Sequence, residues 1–194
     1  MNEATRVVRI SSLVVDYLTE LLGQVLSFEG PADAVMSRFF KLHHKLGQRD
    51  RGFIAEAVFH ALRNFGSLHG MLAPADPGRA PRLAALVTLA RQYGVEAISE
   101  RAMGRDAPAL RSALRFDRRK LSDAAQAELP QWLYDLVIEQ YPDAGALCEA
   151  MTQPAPLDLR VNLMKAKREA VMEALHGYRL GADGAQPEVT PFSP

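Results

Sequence analysis

Basic side chains dominate the chemistry this sequence could perform, and they fall into two groups. Lys41, Lys45, Arg49 and Arg51 stand close together with Arg63 following, and Arg111, Arg115, Arg118, Arg119 and Lys120 cluster further on. Of the 23 basic residues 18 are arginine, whose planar guanidinium fork suits two-pronged contact with phosphate and stacking on bases. Polyanion binding is the chemistry implied, and RNA the candidate partner. The candidate RNA-contacting residues are Lys45, Arg49, Arg51, Arg63, Arg111, Arg115, Arg118, Arg119, Lys120 and, far along the chain, Arg160. Arg111 and Arg115 are neighbours at helical spacing. Only Phe116 is interleaved as an aromatic, so the pattern points to backbone contact and shape recognition more than to base stacking. The competing reading is a set of solvated helix faces and local ion pairs.

Charge is distributed unevenly behind a formal net charge of zero. Residues 38 to 120 hold sixteen basic and seven acidic side chains, whereas 121 to 158 hold seven acidic and no basic ones. Local fields, not totals, attract polyanions. The acidic stretch is also the obvious internal partner for the arginines.

Other chemistries find little support. A single cysteine, Cys148, excludes an internal disulfide framework and a multi-cysteine zinc site. It shares a helical face with Leu147 and Met151 and reads as core. His43 and His44 are adjacent with no ligand at i+4, and His60 and His69 stand at no ligand spacing, so no metal site is expected. Asp16, Glu20 and the other isolated carboxylates show no paired acid-base geometry. Gly177, Gly181 and Gly184 follow a helix rather than a strand, which suits turns and caps better than a nucleotide cradle.

The elements that must position these groups are mostly helical. Ile10, Val14, Tyr17, Leu18, Leu21 and Val25 recur at three and four, the period of one helical face. Pro31 opens a second helix carrying Val35, Met36, Phe39, Phe40 and Leu46, with Gly47 as a C-terminal stop. Phe53, Ile54, Ala57, Val58, Ala61, Leu62 and Phe65 make a wide third stripe, whose extension includes His69. Pro74, Pro77 and Pro81 break the chain before a fourth helix over Leu83 to Tyr93. Shorter helices follow at about Val95 to Met103 and Ala107 to Leu114. Leu129 and Pro130 open another with Trp132, Leu133, Leu136 and Val137 on one face, and Asp143 caps the next. After Pro154 and Pro156 the period changes. Leu157, Leu159, Val161 and Leu163 alternate with Asp158, Arg160 and Asn162, predicting the one clear strand. A short helix with Ala170, Val171, Ala174 and Leu175 closes at Gly177. One strand and one helix cannot make a domain alone.

The expected fold class is therefore all-α: a helical bundle over 1–153, followed by a short incomplete α/β segment, one strand and one helix, over 154–194. With 194 residues, 48% apolar and 24% charged, the composition is that of a globular chain. Its longest uncharged run, Asn64 to Ala75, contains glycines and a proline and cannot span a bilayer. No export signal is visible, so a cytoplasmic protein without membrane contact is expected.

The run from Gln48 to Arg63, QRDRGFIAEAVFHALR, resembles the third-helix signature of NusB-like RNA-binding domains. Gly52 stands where alanine is common there, and His60 where glycine is frequent. The later features are more specific: Leu129-Pro130-Gln131-Trp132-Leu133, Tyr141, Leu157-Asp158-Leu159-Arg160-Val161-Asn162, Lys165 and Arg168-Glu169 resemble the linker of bacterial ribosomal RNA cytosine-C5 methyltransferases of the NusB-Sun (RsmB) type. The resemblance implies a NusB-like helical bundle, then the start of an α/β lead-in subdomain, with the catalytic domain absent from this chain. It implies 16S ribosomal RNA as partner, S-adenosylmethionine as the cofactor of the full-length enzyme but none in this chain, and a catalytic domain in cis. Leu147-Cys148-Glu149 resembles neither of the family's cysteine motifs, so no catalytic residue is expected. The alternative is a NusB-like protein or RNA interaction module of a transcription antitermination complex. The unpaired edge of the 157–163 strand makes self-association a further expectation.

Overall fold

A computed structural model describes residues 9–153 and 159–176. The chain divides into two compact units that meet between residues 152 and 153.

In the first unit the apolar stripes become helices with buried faces. α1 (Ser12–Val25) buries Val15, Leu18, Leu21, Leu22 and Val25, and the Ser11 hydroxyl accepts from the Val14 N–H at its start. α2 (Ala32–Leu42) buries Val35, Met36 and Phe39. α3 (Gln48–Arg63) buries Ile54, Ala57, Val58 and Ala61. α4 (Phe65–Leu72) is separate from it. The apolar pattern runs on through Phe65, but Asn64 leaves helical geometry at φ −117° and ψ 32° and divides the expected single helix in two. Gly47, expected to stop α2, instead stands at the start of α3.

α5 (Pro81–Tyr93) is the central element. Every residue from Ala84 to Ala90 is buried, and it packs against α1, α3, α4 and α7 (Ala107–Leu114). A helix buried all round belongs in the middle of a bundle. Between α5 and α7 come a 3₁₀ turn at Val95–Ala97 and the short α6 (Glu100–Met103). Ile10 and Ile98 form an isolated parallel bridge: the Ile10 N–H donates to the Ala97 carbonyl at 2.8 Å, and the Ser99 N–H to the Ile10 carbonyl at 3.2 Å. Arg82 staples the same corner, donating at 2.8 Å each to Asp16, Asp106 and the Ala102 carbonyl. Burial alone would lower its pKa, but the hydrogen bonds it donates to both carboxylates outweigh that and raise it.

Beyond α7 a 3₁₀ turn (Arg118–Lys120), α8 (Asp123–Gln126), α9 (Gln131–Gln140) and α10 (Ala144–Thr152) complete the unit. The first two were not expected, being too short to show a period. α9 and α10 each bury one residue, Val137 and Cys148. Asp143 accepts from the Ala146 N–H, the expected cap.

In the second unit the expected strand is not seen among the described residues. Residues 159–162 pair with nothing among the described residues, and the chain turns at Asn162, whose carbonyl accepts from the N–H groups of Lys165 and Ala166. Alternation gives a segment two faces, but a strand also needs a neighbour for its backbone. Leu159 and Leu163 are exposed. α11 (Arg168–Leu175) follows. Val7, Pro154, Pro156, Leu157, Asp158, Gly177, Gly181, Gly184 and the final prolines lie outside the described residues.

Candidate nucleic-acid interface

The first basic group sits where α2 meets α3. Arg38, Lys41, Lys45 and Arg49 are exposed, and none has a carboxylate within ion-pair distance among the described residues. Arg51 behaves differently. Its Nε donates to the Leu46 carbonyl at 2.9 Å and its Nη2 to the His44 carbonyl at 3.1 Å, so this guanidinium fastens the turn that displays Lys45. Arg63 pairs with Glu56 at 2.8 Å, two turns away along the same helical face. The turn is steadied from α1 as well, since His43 donates to Glu20 at 3.3 Å and packs on Tyr17 and Phe39.

The second group runs from the end of α7 through the turn at 118–120. Arg111, Arg115 and Lys120 are exposed without carboxylate partners among the described residues, and the Arg115 Nε donates to the Arg111 carbonyl at 3.2 Å. Arg119 closes its fork on Asp117, with Nε at 2.9 Å and Nη2 at 3.0 Å. Those hydrogen bonds hold the Asp117 carboxyl below its usual range and push the Arg119 guanidinium up. Although its side chain is 89% exposed, Arg119 presents little net charge.

Arg118 reaches inward. Its Nη2 donates to the Gln126 carbonyl at 3.1 Å and to Glu128 Oε1 at 3.2 Å. The Glu128 side chain is only 2% exposed, and its Oε2 accepts from the Ser67 N–H at 2.8 Å. Local sequence explains the vacancy it fills. Asn64, at the head of α4, sends its amide back to the His60 carbonyl and caps nothing, so the first N–H groups of α4 need an outside acceptor. Glu128 provides it, in a left-handed backbone conformation with φ 59°. Gly66 permits the approach: a Cβ there would lie 2.8 Å from the Ala125 carbonyl oxygen, and one on Gly70 would strike Leu121. The glycine face of α4 is therefore the seat of the 116–128 segment.

Arg91 completes this network, donating to the Ser67 hydroxyl at 2.7 Å and to Asn64 Oδ1 at 3.4 Å. Burial lowers its pKa, Glu128 opposes that, and Arg118 adds to it. His60 lies beside it with Nε2 buried and unpartnered among the described residues. Burial lowers its pKa first, then Arg91 and Arg63.

The nine expected residues of the first unit thus fall into groups on different elements. Lys45 and Arg49 display charge at the α2–α3 junction, Arg111, Arg115 and Lys120 at the end of α7, and α2 packs on α1 whereas α7 packs on α5 and α4. Arg51, Arg63, Arg118 and Arg119 have partners within the protein. Arg160 is exposed in the second unit. Arg38, Arg91 and Glu128 escaped sequence reasoning. Arg38 could have been found, three residues before Lys41 on α2; the Glu128 to Ser67 bond spans 61 positions and leaves no local signal. No group of three His, Cys, Asp or Glu among the described residues could hold a metal ion, and no described helix is long and apolar enough to cross a membrane.

Comparison with known families adds one finding. Residues 129–189 match the model of the ferredoxin-like domain of RsmF/B-like methyltransferases. No curated protein and no solved structure matches the chain. The matched segment starts just before α9, covers under a third of the chain, and supports a relation to ribosomal RNA methyltransferases of the Sun/RsmB kind.

Proposed function

We propose that this chain is the RNA-binding, substrate-positioning region of an S-adenosylmethionine-dependent 16S ribosomal RNA cytosine-C5 methyltransferase, with a NusB-like helical part. The observation that carries this reading is the methyltransferase-family segment at 129–189, joined in one chain to a helical unit bearing exposed, unpaired cations. Phosphates would be gripped by Lys45, Arg49, Arg111, Arg115 and Lys120, with Arg160 contributing from the second unit. Each contact releases condensed counter-ions, which is the source of the affinity. Binding a remote part of the substrate then orients the target base for a catalytic domain acting in cis.

Chemistry is assigned to that catalytic domain. Cys148 is buried on α10 and is not accessible to a pyrimidine ring. The described residues also do not fit the methyl donor, since none forms the strand and glycine turn that cradles such a nucleotide.

Filter binding of the chain to a small-subunit ribosomal RNA fragment over a salt series tests the reading. Expected is affinity that falls steeply with salt, roughly 0.7 to 0.9 in log–log slope per phosphate contact. Affinity independent of salt, or none at low salt, would sink it.

A second reading, a protein-interaction module of an antitermination-type complex, draws on α9. Trp132 is 64% exposed with Leu136 one turn away, also exposed, and exposed aromatic anchors are typical of protein interfaces. It predicts that Trp132→Ala abolishes capture of a specific protein and leaves RNA affinity untouched.

A further inference from the structure

Among the described residues Glu128 is the most deeply buried carboxylate in an ion pair. We propose that Glu128 is a positioning residue for RNA binding: by holding one nitrogen of Arg118 against the body of the protein, it presents the rest of that guanidinium, beside Arg115 and Lys120, as a fixed phosphate-binding fork. The inference rests on the RNA-binding reading above.

Three observations carry it. First, the hold is partial. Only Nη2 of Arg118 is engaged, by Glu128 and by the Gln126 carbonyl, while Nε and Nη1 have no partner among the described residues. The side chain stays 48% exposed. An arginine fastened by one nitrogen is restrained in part before a ligand arrives, and preorganisation of that kind strengthens binding.

Second, the charge survives. Glu128 answers to two guanidiniums, since its carboxylate also acts on Arg91, which donates to the hydroxyl of the same Ser67 whose N–H the carboxylate accepts. Arg91, Arg118 and Glu128 together carry one net positive charge. Asp117 and Arg119, next along the turn, form a closed one-to-one pair with both prongs engaged. Adjacent arginines therefore differ: Arg119 is neutralised and Arg118 is displayed.

Third, the base is rigid. The carboxylate is bonded to the third N–H of α4, and α4 receives the segment on two glycines that allow close backbone contact. The fork is anchored to a helix that packs on α5, the centre of the bundle.

Simple electrostatics predicts the opposite result, which makes the inference testable. Removing a negative charge beside a polyanion site should tighten binding. Positioning predicts loss. The experiment measures fluorescence anisotropy of a short labelled RNA hairpin with the full chain over a salt series, using Glu128→Gln, Arg118→Lys and the double variant. Glutamine keeps an acceptor oxygen for the Ser67 N–H, and Arg118→Lys keeps the surface charge while losing the fork. Each single variant is expected to bind about tenfold more weakly at low salt, as for one charge-assisted contact. The double variant is expected to be no weaker than either single one. Glu128→Gln binding as tightly as the unmodified chain or tighter, losses that add in the double variant, or Arg118→Lys binding normally would each overturn the inference and leave the RNA-binding reading standing. Should Glu128→Gln melt early, Arg118→Lys, altered on an exposed side chain, decides alone. No binding by the unmodified chain would overturn both.

Discussion

The two basic regions solve the same problem in opposite ways. At the α2–α3 junction a cation holds the scaffold: Arg51 turns inward to bond two carbonyls of the turn, and Lys45 and Arg49 have no carboxylate within ion-pair distance among the described residues. In the 111–128 region an anion holds the scaffold: Glu128 is buried, it caps a helix distant in sequence, and it restrains one of the cations on show. The first arrangement costs one arginine and leaves its neighbours exposed without carboxylate partners among the described residues. The second sacrifices little net charge and fixes one guanidinium. A count of positive residues treats the regions as equivalent, but their mechanical and electrostatic properties differ.

Stability measurements give the widest separation. Glu128→Ala should destabilise by about 2 to 3 kcal/mol, toward the lower end for a broken buried pair because Arg118 is half in water. Arg51→Ala should cost about 1 to 2 kcal/mol, for two charge-assisted bonds to carbonyls near the surface. Urea unfolding compares them, and equal costs would erase the distinction. The glycines sharpen it further. Gly66→Ala puts a Cβ 2.8 Å from a backbone oxygen of the seated segment and should cost about 1 to 3 kcal/mol. Gly52→Ala in α3 meets nothing within 4 Å and should stabilise by about 0.5 to 1 kcal/mol. A stabilised Gly66→Ala protein would mean that the segment is not seated on α4.

Binding effects are smaller. Asp117→Asn releases Arg119 and should steepen the salt dependence of RNA affinity by about 0.7 to 0.9 in log–log slope, one phosphate contact. Lys45→Ala with Arg49→Ala should flatten it by up to about twice that. Titration of RNA against each variant over a salt series checks both. Smallest is a pH effect confined to the Arg91 side of the network. The folded His60 pKa lies below its ordinary 6.5, so between the two values the unfolded chain binds more protons, and stability falls as pH drops below 6.5. Thermal melts from pH 7.5 downward should show the decline, and His60→Gln should reduce it.

Much of the helical scaffold was legible because burial and period coincide. The stripe through Leu18, Leu21 and Val25 and the one through Ile54, Ala57 and Ala61 are both inside the bundle. The break at Asn64 was not legible, since the apolar pattern crosses it unaltered. Nor was the pairing of the segment near Val161, which depends on a partner backbone rather than on the segment itself and has none among the described residues. For the site, residue type was readable and pairing was not. Arg63 is the exception, because Glu56 stands seven residues earlier on the same face and that spacing could have removed it from the candidates. Arg118 could not have been judged this way, as its partner Glu128 is held in place by the Ser67 N–H, 61 positions away, which local spacing does not reveal.

The left-handed backbone of Glu128 carries an implication for how this position can vary. Glycine is the residue most at ease at φ 59°, so replacement by glycine would relax the main chain while deleting the carboxylate. The two preferences pull the position in different directions. Relatives that keep the helix-seated segment should hold an acidic side chain here despite a conformational penalty of about 1 kcal/mol, and those that carry glycine should also have lost the arginine ten residues earlier.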